Sequence, residues 1–439
     1  MTKLVYTGLN AGYSDPVRVV GGNGVFYHLS DGRHVIDASN TGGPLGHAHP
    51  VMVETIARTA AIAPAINEGW FWAEREQAAE ELIDIAFGDE QSWVGGVRFF
   101  LSGSEANDAA LSFAQALTGR VALATRERAY HGMTGLARNM TVQPHWHGGL
   151  SVSGGGTLPV PQTIPVRILP APASASYLDG TDAAAPDLRH AAELLSDTAA
   201  TIIDYSQGGI YYDSEYQDNV AKAARSAGSL WVADEVVTGL GRSGRWFAFQ
   251  GAESRPDIVT IGKPLAGGAM PAGAVVFSKA VLERVKGMSW QTYSTFRGHP
   301  LMVAAIRSYL RVVRDDALLA HVASLEILAR RRLIEIAQRH PSVRRVDGRG
   351  LHWTVELHGA DWRNWRADQR KLPIASKVAA AALDAGVMIG TSGEQASLFL
   401  APPLIIEPPQ LELIFEALDD ALKVADIELE AMSSVSTAA

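Results

Sequence analysis

Short apolar runs rich in Val, Ile and Leu alternate along the chain with amphipathic stretches. Strands buried on both faces read as near-continuous apolar runs, and the helices crossing between them keep one polar face. The alternation therefore predicts an α/β fold with a mostly parallel sheet. Strand candidates are residues 97–102, 121–125, 201–206, 230–236, 258–262 and 273–277, with helices between them, as at 105–117 and 215–227. Past Gly298 the texture changes. Residues 300–313 and 318–339 read as long helices, short strands fall near 351–357 and 398–400, and a last helix lies near 410–425. That is the pattern of a smaller α+β domain. Residues 141–182, rich in Gly, Pro and Ser, predict a long irregular loop, either a lid or a surface insertion. The tail 432–439 is expected to be disordered.

Composition narrows the class. At about 100–200 residues per domain, 439 residues suggest two or three domains. A 47% hydrophobic and 19% charged chain is not a disordered one. The formal charge of -9, without any Lys/Arg-rich run, disfavours nucleic-acid binding. The chain has no cysteine, so disulfides, thiolate metal sites and cysteine nucleophiles are excluded together. The opening MTKLVYTGLNAGYSDP lacks the apolar stretch of a signal peptide, and no apolar run is long enough to span a bilayer. A cytoplasmic enzyme with no membrane partner is expected.

Three short segments carry candidate chemistry. Ser102-Gly103-Ser104-Glu105 follows an apolar run and opens a helix-like stretch, where free backbone N–H groups and hydroxyls suit an anion. A plain helix cap is the competing reading. Asp234-Glu235 ends the run 230–233, the place where open α/β sheets bind ligands, and a carboxylate there can hold a cationic heterocycle. Lys263 ends the run 257–262 and precedes Pro264 and Ala266-Gly267-Gly268. An amine crowded by apolar groups is desolvated and more nucleophilic. Taken singly, an Asp-Glu pair is more often a loop cap and a lysine more often solvated.

Anion turn, strand-end acid and strand-end lysine follow in that order. In this the sequence resembles the class III (ω-type) aminotransferases of the fold type I pyridoxal-phosphate enzymes. The resemblance extends from Gly46-His47-Ala48-His49-Pro50 to Ala401-Pro402-Pro403-Leu404. It implies a large domain with a mostly parallel seven-stranded sheet at 61–305, a small α+β domain at 306–439, and an N-terminal segment, 1–60, joining the small domain. It implies pyridoxal 5'-phosphate as cofactor, held on Lys263 as a Schiff base, with Asp234 pairing the ring nitrogen. Gly103 and Ser104 match the phosphate cup. Tyr130-His131-Gly132 matches a Tyr-His-Gly segment whose ring stacks on the cofactor, and Val236 presses the opposite face. Gln207 is expected near the ring oxygen. Thr295 matches a threonine that reaches the neighbouring subunit's cofactor, which implies a homodimer with a shared site. Arg242, in Gly239-Leu240-Gly241-Arg242-Ser243-Gly244, and Arg349 are read as structural. The implied reaction moves an amino group between an amine or amino acid donor and a keto or aldehyde acceptor, with ping-pong kinetics. The same scaffold also serves racemases, epimerases and aminomutases.

Two departures touch the substrate. Many members carry an arginine where this chain has Gly390, and a partnering glutamate where it has Asp204. The substrate is then an amine with no nearby carboxylate, or another arginine binds the acid. Arg297 and Arg128 are the candidates, against their reading as surface or interface salt bridges. Trp70-Phe71-Trp72 falls where members place a pocket wall; core or interface packing is the alternative. His145-Trp146-His147 and His47-Ala48-His49 have too few ligands for a metal site, so no metal is expected.

Overall fold

The structure is a computed structural model. It describes residues 18–143, 148–151, 157–171, 187–206, 211, 214–358, 373–392 and 397–437. Its spine is a seven-stranded sheet of β1 (Val94–Phe100), β2 (Ala122–Arg126), β3 (Val166–Leu169), β4 (Thr198–Asp204), β5 (Leu230–Asp234), β6 (Ile258–Ile261) and β7 (Gly273–Ser278), in the order β1-β7-β6-β5-β4-β2-β3. Only β7 runs against its neighbours. The carboxyl ends of β1, β2, β4, β5 and β6 therefore share one edge of the sheet, and β7 begins at that edge.

Helices cover both faces. Along β4 and β5, Ile202 and Val232 pack with Ala106, Ala110 and Phe113 of α1 (Gly103–Thr118). Their chain neighbours Ile203 and Trp231 pack with Tyr216, Val220 and Ala224 of α2 (Ser214–Ala227). This is the two-residue alternation of a strand buried on both sides. Every residue of β4, β5, β6 and β7 is buried.

Elsewhere the described residues include two four-stranded sheets, the helices Pro50–Ile62 and Ala73–Ala86, and the later helices α3 (Pro300–Asp315), α4 (Leu318–Arg339), α5 (Ile374–Asp384) and α6 (Pro408–Thr437). One sheet joins the strands Val19–Asn23, Phe26–Leu29 and His34–Asp37 to Val387–Met388, so early and late parts of the chain share a ladder. The other joins Val343–Arg349, His352–Leu357, Ser397–Leu400 and Gly390–Thr391.

The expected strands and helices appear within a few residues of their predicted places, with two corrections. The loop expected at 141–182 contains β3, an edge strand hydrogen-bonded to β2, and the short hairpin Leu150–Ser151 and Thr157–Leu158. Pro165 and Pro170 bracket β3 so closely that its four residues read as loop. The last helix does not stop near 425 but continues through Thr437. Residues 423–431 hold no Gly or Pro and are rich in helix formers, so nothing ends it there. Gln207, the 145–147 cluster and parts of the 141–182 stretch lie outside the described residues.

Candidate active site

At the shared strand edge lies a cavity of about 340 Å³ lined by segments that follow five strands and precede a sixth. Ser102, Gly103 and Ser104 follow β1; Tyr130, His131 and Gly132 follow β2. Asp204 and Asp234 are register partners at the ends of β4 and β5. Lys263 follows β6, and Met270-Pro271-Ala272 leads into β7.

The turn after β1 is built as a helix start. Ser102 is extended, and its hydroxyl accepts from the Glu105 N–H at 3.1 Å. A Cβ on Gly103 would sit 2.6 Å from the Val236 methyls, so only glycine lets Val236 close over this turn. A Cβ on Gly262 would meet the Gly103 backbone at 2.9 Å. The residue before the lysine is thus lodged against the helix start. Lys263 itself has φ +25°, a strained conformation for a side-chain-bearing residue, which costs roughly 1–3 kcal/mol. Its side chain is open to the cavity but sits deep in protein, and desolvation lowers its pKa against the opposing pull of Asp234 and Asp204. A larger share of free amine at neutral pH follows.

Asp234 is held rigidly. Its Oδ2 accepts from Asn107 Nδ2 and from His131 Nδ1, each at 2.7 Å, and its Oδ1 accepts from the Val236 N–H at 3.0 Å. The other nitrogen of His131 lies 2.9 Å from the Thr125 hydroxyl. The His131 ring therefore backs Asp234. Tyr130 is half-buried at the cavity wall, and burial followed by the Asp234 charge raises its phenol pKa. Asp204 accepts from Arg126 Nη2 at 2.7 Å, and its own carbonyl accepts from Arg126 Nε at 3.1 Å.

The sequence reading passed over two of these residues. Asn107 lies one helical turn past Ser104 and so faces the same way. Arg126 stands out as a charge at the end of an apolar strand and is fully buried. Those were the available signals.

Arg297, Trp70, Thr295 and Arg128, also expected at the site, lie outside the lining of this cavity. Arg297 is buried beside a second cavity of about 390 Å³ bordered by Trp70, Phe71, Trp72, Arg98 and Glu68. Its Nε and Nη2 bind Glu105 at 2.8 and 2.7 Å, its Nη1 donates to the Thr292 hydroxyl at 2.9 Å, and it stacks over Phe100. Its guanidinium is committed to these contacts, away from Lys263. Trp70 and Phe71 are 67% and 95% exposed, and Thr295 is exposed as well. Arg128 is buried at φ +63° and does not line the Lys263 cavity. No group of acidic and histidine residues suited to a metal occurs among the described residues. None of the described helices is long and apolar enough to cross a membrane.

A mostly parallel α/β sheet with a desolvated lysine facing a fixed carboxylate, above a glycine-serine helix start, defines an enzyme of amine chemistry built around an anionic, ring-bearing cofactor. The chain belongs to the class III aminotransferases, whose family model matches residues 10–422. These are pyridoxal-phosphate-dependent enzymes of fold type I. The chain is 31% identical to an acetylornithine aminotransferase of Mycobacterium tuberculosis, over 92% of this chain and 91% of that one. It is 30% identical to an isoleucine 2-epimerase of Lentilactobacillus buchneri, over 90% of this chain and 87% of that one. Among solved structures, an S-selective transaminase from Arthrobacter sp. superposes with a TM-score of 0.89 at 27% identity, covering 97% of this chain and 96% of that one.

Proposed function

We propose that this enzyme takes the amino group from an amine that carries no carboxylate beside its nitrogen and passes it to a keto or aldehyde acceptor, in two half-reactions with ping-pong order. One observation carries the reading. Among the described residues lining the Lys263 cavity, the only cationic side chain is Lys263, and it faces the acids Asp204 and Asp234. An α-carboxylate entering there meets no guanidinium in the described lining, since the buried Arg126 behind Asp204 is paired with that acid. The Gly390 position supports the same reading. A side chain begun there runs into the Phe399 ring, so the position has no room for an arginine.

The residues present fit pyridoxal phosphate. The Gly103 turn has the bare backbone that a phosphate requires, and Asn107 Oδ1 is a buried acceptor at the cavity with no protein partner. When bound, the cofactor supplies an electron-accepting ring that acidifies the C–H beside the substrate nitrogen. Gly103 and Ser104 hold its phosphate through backbone N–H groups and a hydroxyl. Asp234, fixed by Asn107 and His131, keeps the ring nitrogen protonated. Tyr130 and Val236 bound the two ring faces, and Gln207 is assigned to the ring oxygen by resemblance. Lys263 Nζ, its basicity lowered by burial, anchors the cofactor, then takes the proton from the substrate carbon and redelivers it.

The assembly is a homodimer in this reading. Thr295 and the Trp70-Phe71 rings, exposed in a single chain, serve the partner's site. The N-terminal segment 1–60 groups with 306–439, supported by the ladder between His34–Asp37 and Val387–Met388.

A second reading, an isomerase of amino acids, is favoured by the epimerase relative. It is weakened by the absence of a guanidinium among the described residues lining the cavity. Absorption spectra of the cofactor-loaded enzyme, titrated with monoamines, diamines and α-amino acids, separate the two. Conversion to aminated cofactor with release of a carbonyl product, by amines in preference to amino acids, is expected. Preference for glutamate overturns the amine reading. An unchanged cofactor band, with solvent hydrogen entering the substrate, supports the isomerase.

A further inference from the structure

Tyr205 borders the Lys263 cavity on one side and a different polar cavity, of about 350 Å³, on the other. The latter lies where the loop after β5 meets the turn between the strands Val343–Arg349 and His352–Leu357. The two elements are interlocked. The Leu351 N–H donates to the Arg242 carbonyl at 3.0 Å, and Gly350 sits so close to Arg242 and Ser243 that a Cβ there would collide with their backbone. The cavity walls are thus set by the fold.

Its lining is electropositive. Arg242, Arg245 and Arg349 all border it. Among the described residues of the lining Glu326 is the only acidic side chain, and it is already engaged, accepting from the Gly350 N–H and from Arg330, each at 2.9 Å. Arg349 donates to the Gly348 carbonyl at 2.7 Å and lies 3.6 Å from Asp347. His352 is buried and held by Tyr211, with its pKa pushed down to about 3, so it contributes a neutral ring.

Arg242 is the decisive residue. It is 2% exposed. Its Nη1 donates to the carbonyls of Leu351 and Pro402, while Nη2 has no partner. The Ser243 hydroxyl beside it is also without one. Burial lowers the guanidinium pKa to about 10, which leaves it charged at neutral pH. A buried cation with an idle donor is costly unless an anion completes it.

We propose that this cavity binds a small oxyanion, a carboxylate or phosphate group, between the Arg242 guanidinium and Ser243 hydroxyl inside and the more exposed Arg245 and Arg349. Guanidinium forks match both groups by paired hydrogen bonds. The site is separate from the proposed cofactor cradle, and its ligand is read by binding alone.

The test is calorimetric titration of the cofactor-loaded enzyme, at low ionic strength, with inorganic phosphate and separately with succinate. One saturable equivalent per chain is expected for at least one anion, and the tighter of the two names the group. Arg245→Ala combined with Arg349→Ala should weaken binding at least tenfold. Ser243→Ala should weaken it less, without changing the melting temperature. The cofactor absorption band should stay as in the unaltered enzyme in both variants. Absence of saturable heat with either anion overturns the proposal. So does equal affinity in the double variant, or displacement of cofactor by the added phosphate.

Discussion

The cavity around Lys263 and the one beside Trp70 have similar volumes, about 340 and 390 Å³, but differ in how much large apolar surface each leaves exposed. Around Lys263, Asp234 accepts from three donors and Asp204 is locked to Arg126. The geometry is set before any ligand arrives. Beside Trp70, the ionic groups are equally well paired, Arg98 with Glu68 and Arg297 with Glu105, yet two large rings face solvent. Under the proposed function, the pair of fixed acids facing Lys263 marks the chemical centre, and the exposed rings mark the face offered to a partner chain.

The sharpest way to break that contrast is Lys263→Ala. Turnover, followed as carbonyl product, should fall by about a thousandfold or more, with the melting temperature little changed. Retention of a tenth of the activity would remove the lysine from the chemistry. Next comes Glu235, fully buried beside Asp234, whose carboxyl is raised by burial from 4.5 to about 7. The folded state then holds its proton to higher pH than the unfolded chain does. Stability from this group is complete below pH 4.5 and is lost as pH rises to about 7, a change of roughly 3 kcal/mol. In Glu235→Gln that slope should vanish from melting curves taken across this window; an unaltered slope assigns it to other groups.

On the outer side, replacing Trp70 and Phe71 by alanine should weaken the proposed dimer by about 2 kcal/mol, or roughly 30-fold in dissociation constant. Sedimentation velocity reads this directly, and a wild-type monomer ends the dimer reading. The smallest effect is expected from Thr295→Val. Losing the one hydroxyl proposed to reach the partner's phosphate should weaken cofactor binding about tenfold by equilibrium dialysis. Unchanged affinity would make the exposed Thr295 a packing residue only.

The parts legible in the sequence were those governed by local pattern. The apolar runs before Ser102, Asp234 and Lys263 placed all three at strand ends, and the fold brings those ends to one edge. What escaped depends on partners far apart in the chain. Asn107 meets Asp234 across 127 positions and Arg126 meets Asp204 across 78, so neither pairing leaves a local mark. Arg297 shows the converse. Its neighbourhood to Thr295 suggested a ligand, and Glu105, 192 positions away, takes up its guanidinium instead. β3 was missed because four residues between prolines are too few for a period to show.

The sheet order also bears on how the molecule comes into being. β1 stands at one edge, and its only hydrogen-bonded neighbour is β7, which ends at Ser278. During synthesis β1 has no strand to pair with until β7, well over half of the chain along, has been made. Long-range pairing of this kind is slow, and it leaves an unpaired edge waiting in the meantime. The nascent chain thus cannot assemble the Gly103 turn beside Lys263 early. Cofactor capture is a late event in its maturation, and free pyridoxal phosphate should accelerate only the final phase of refolding.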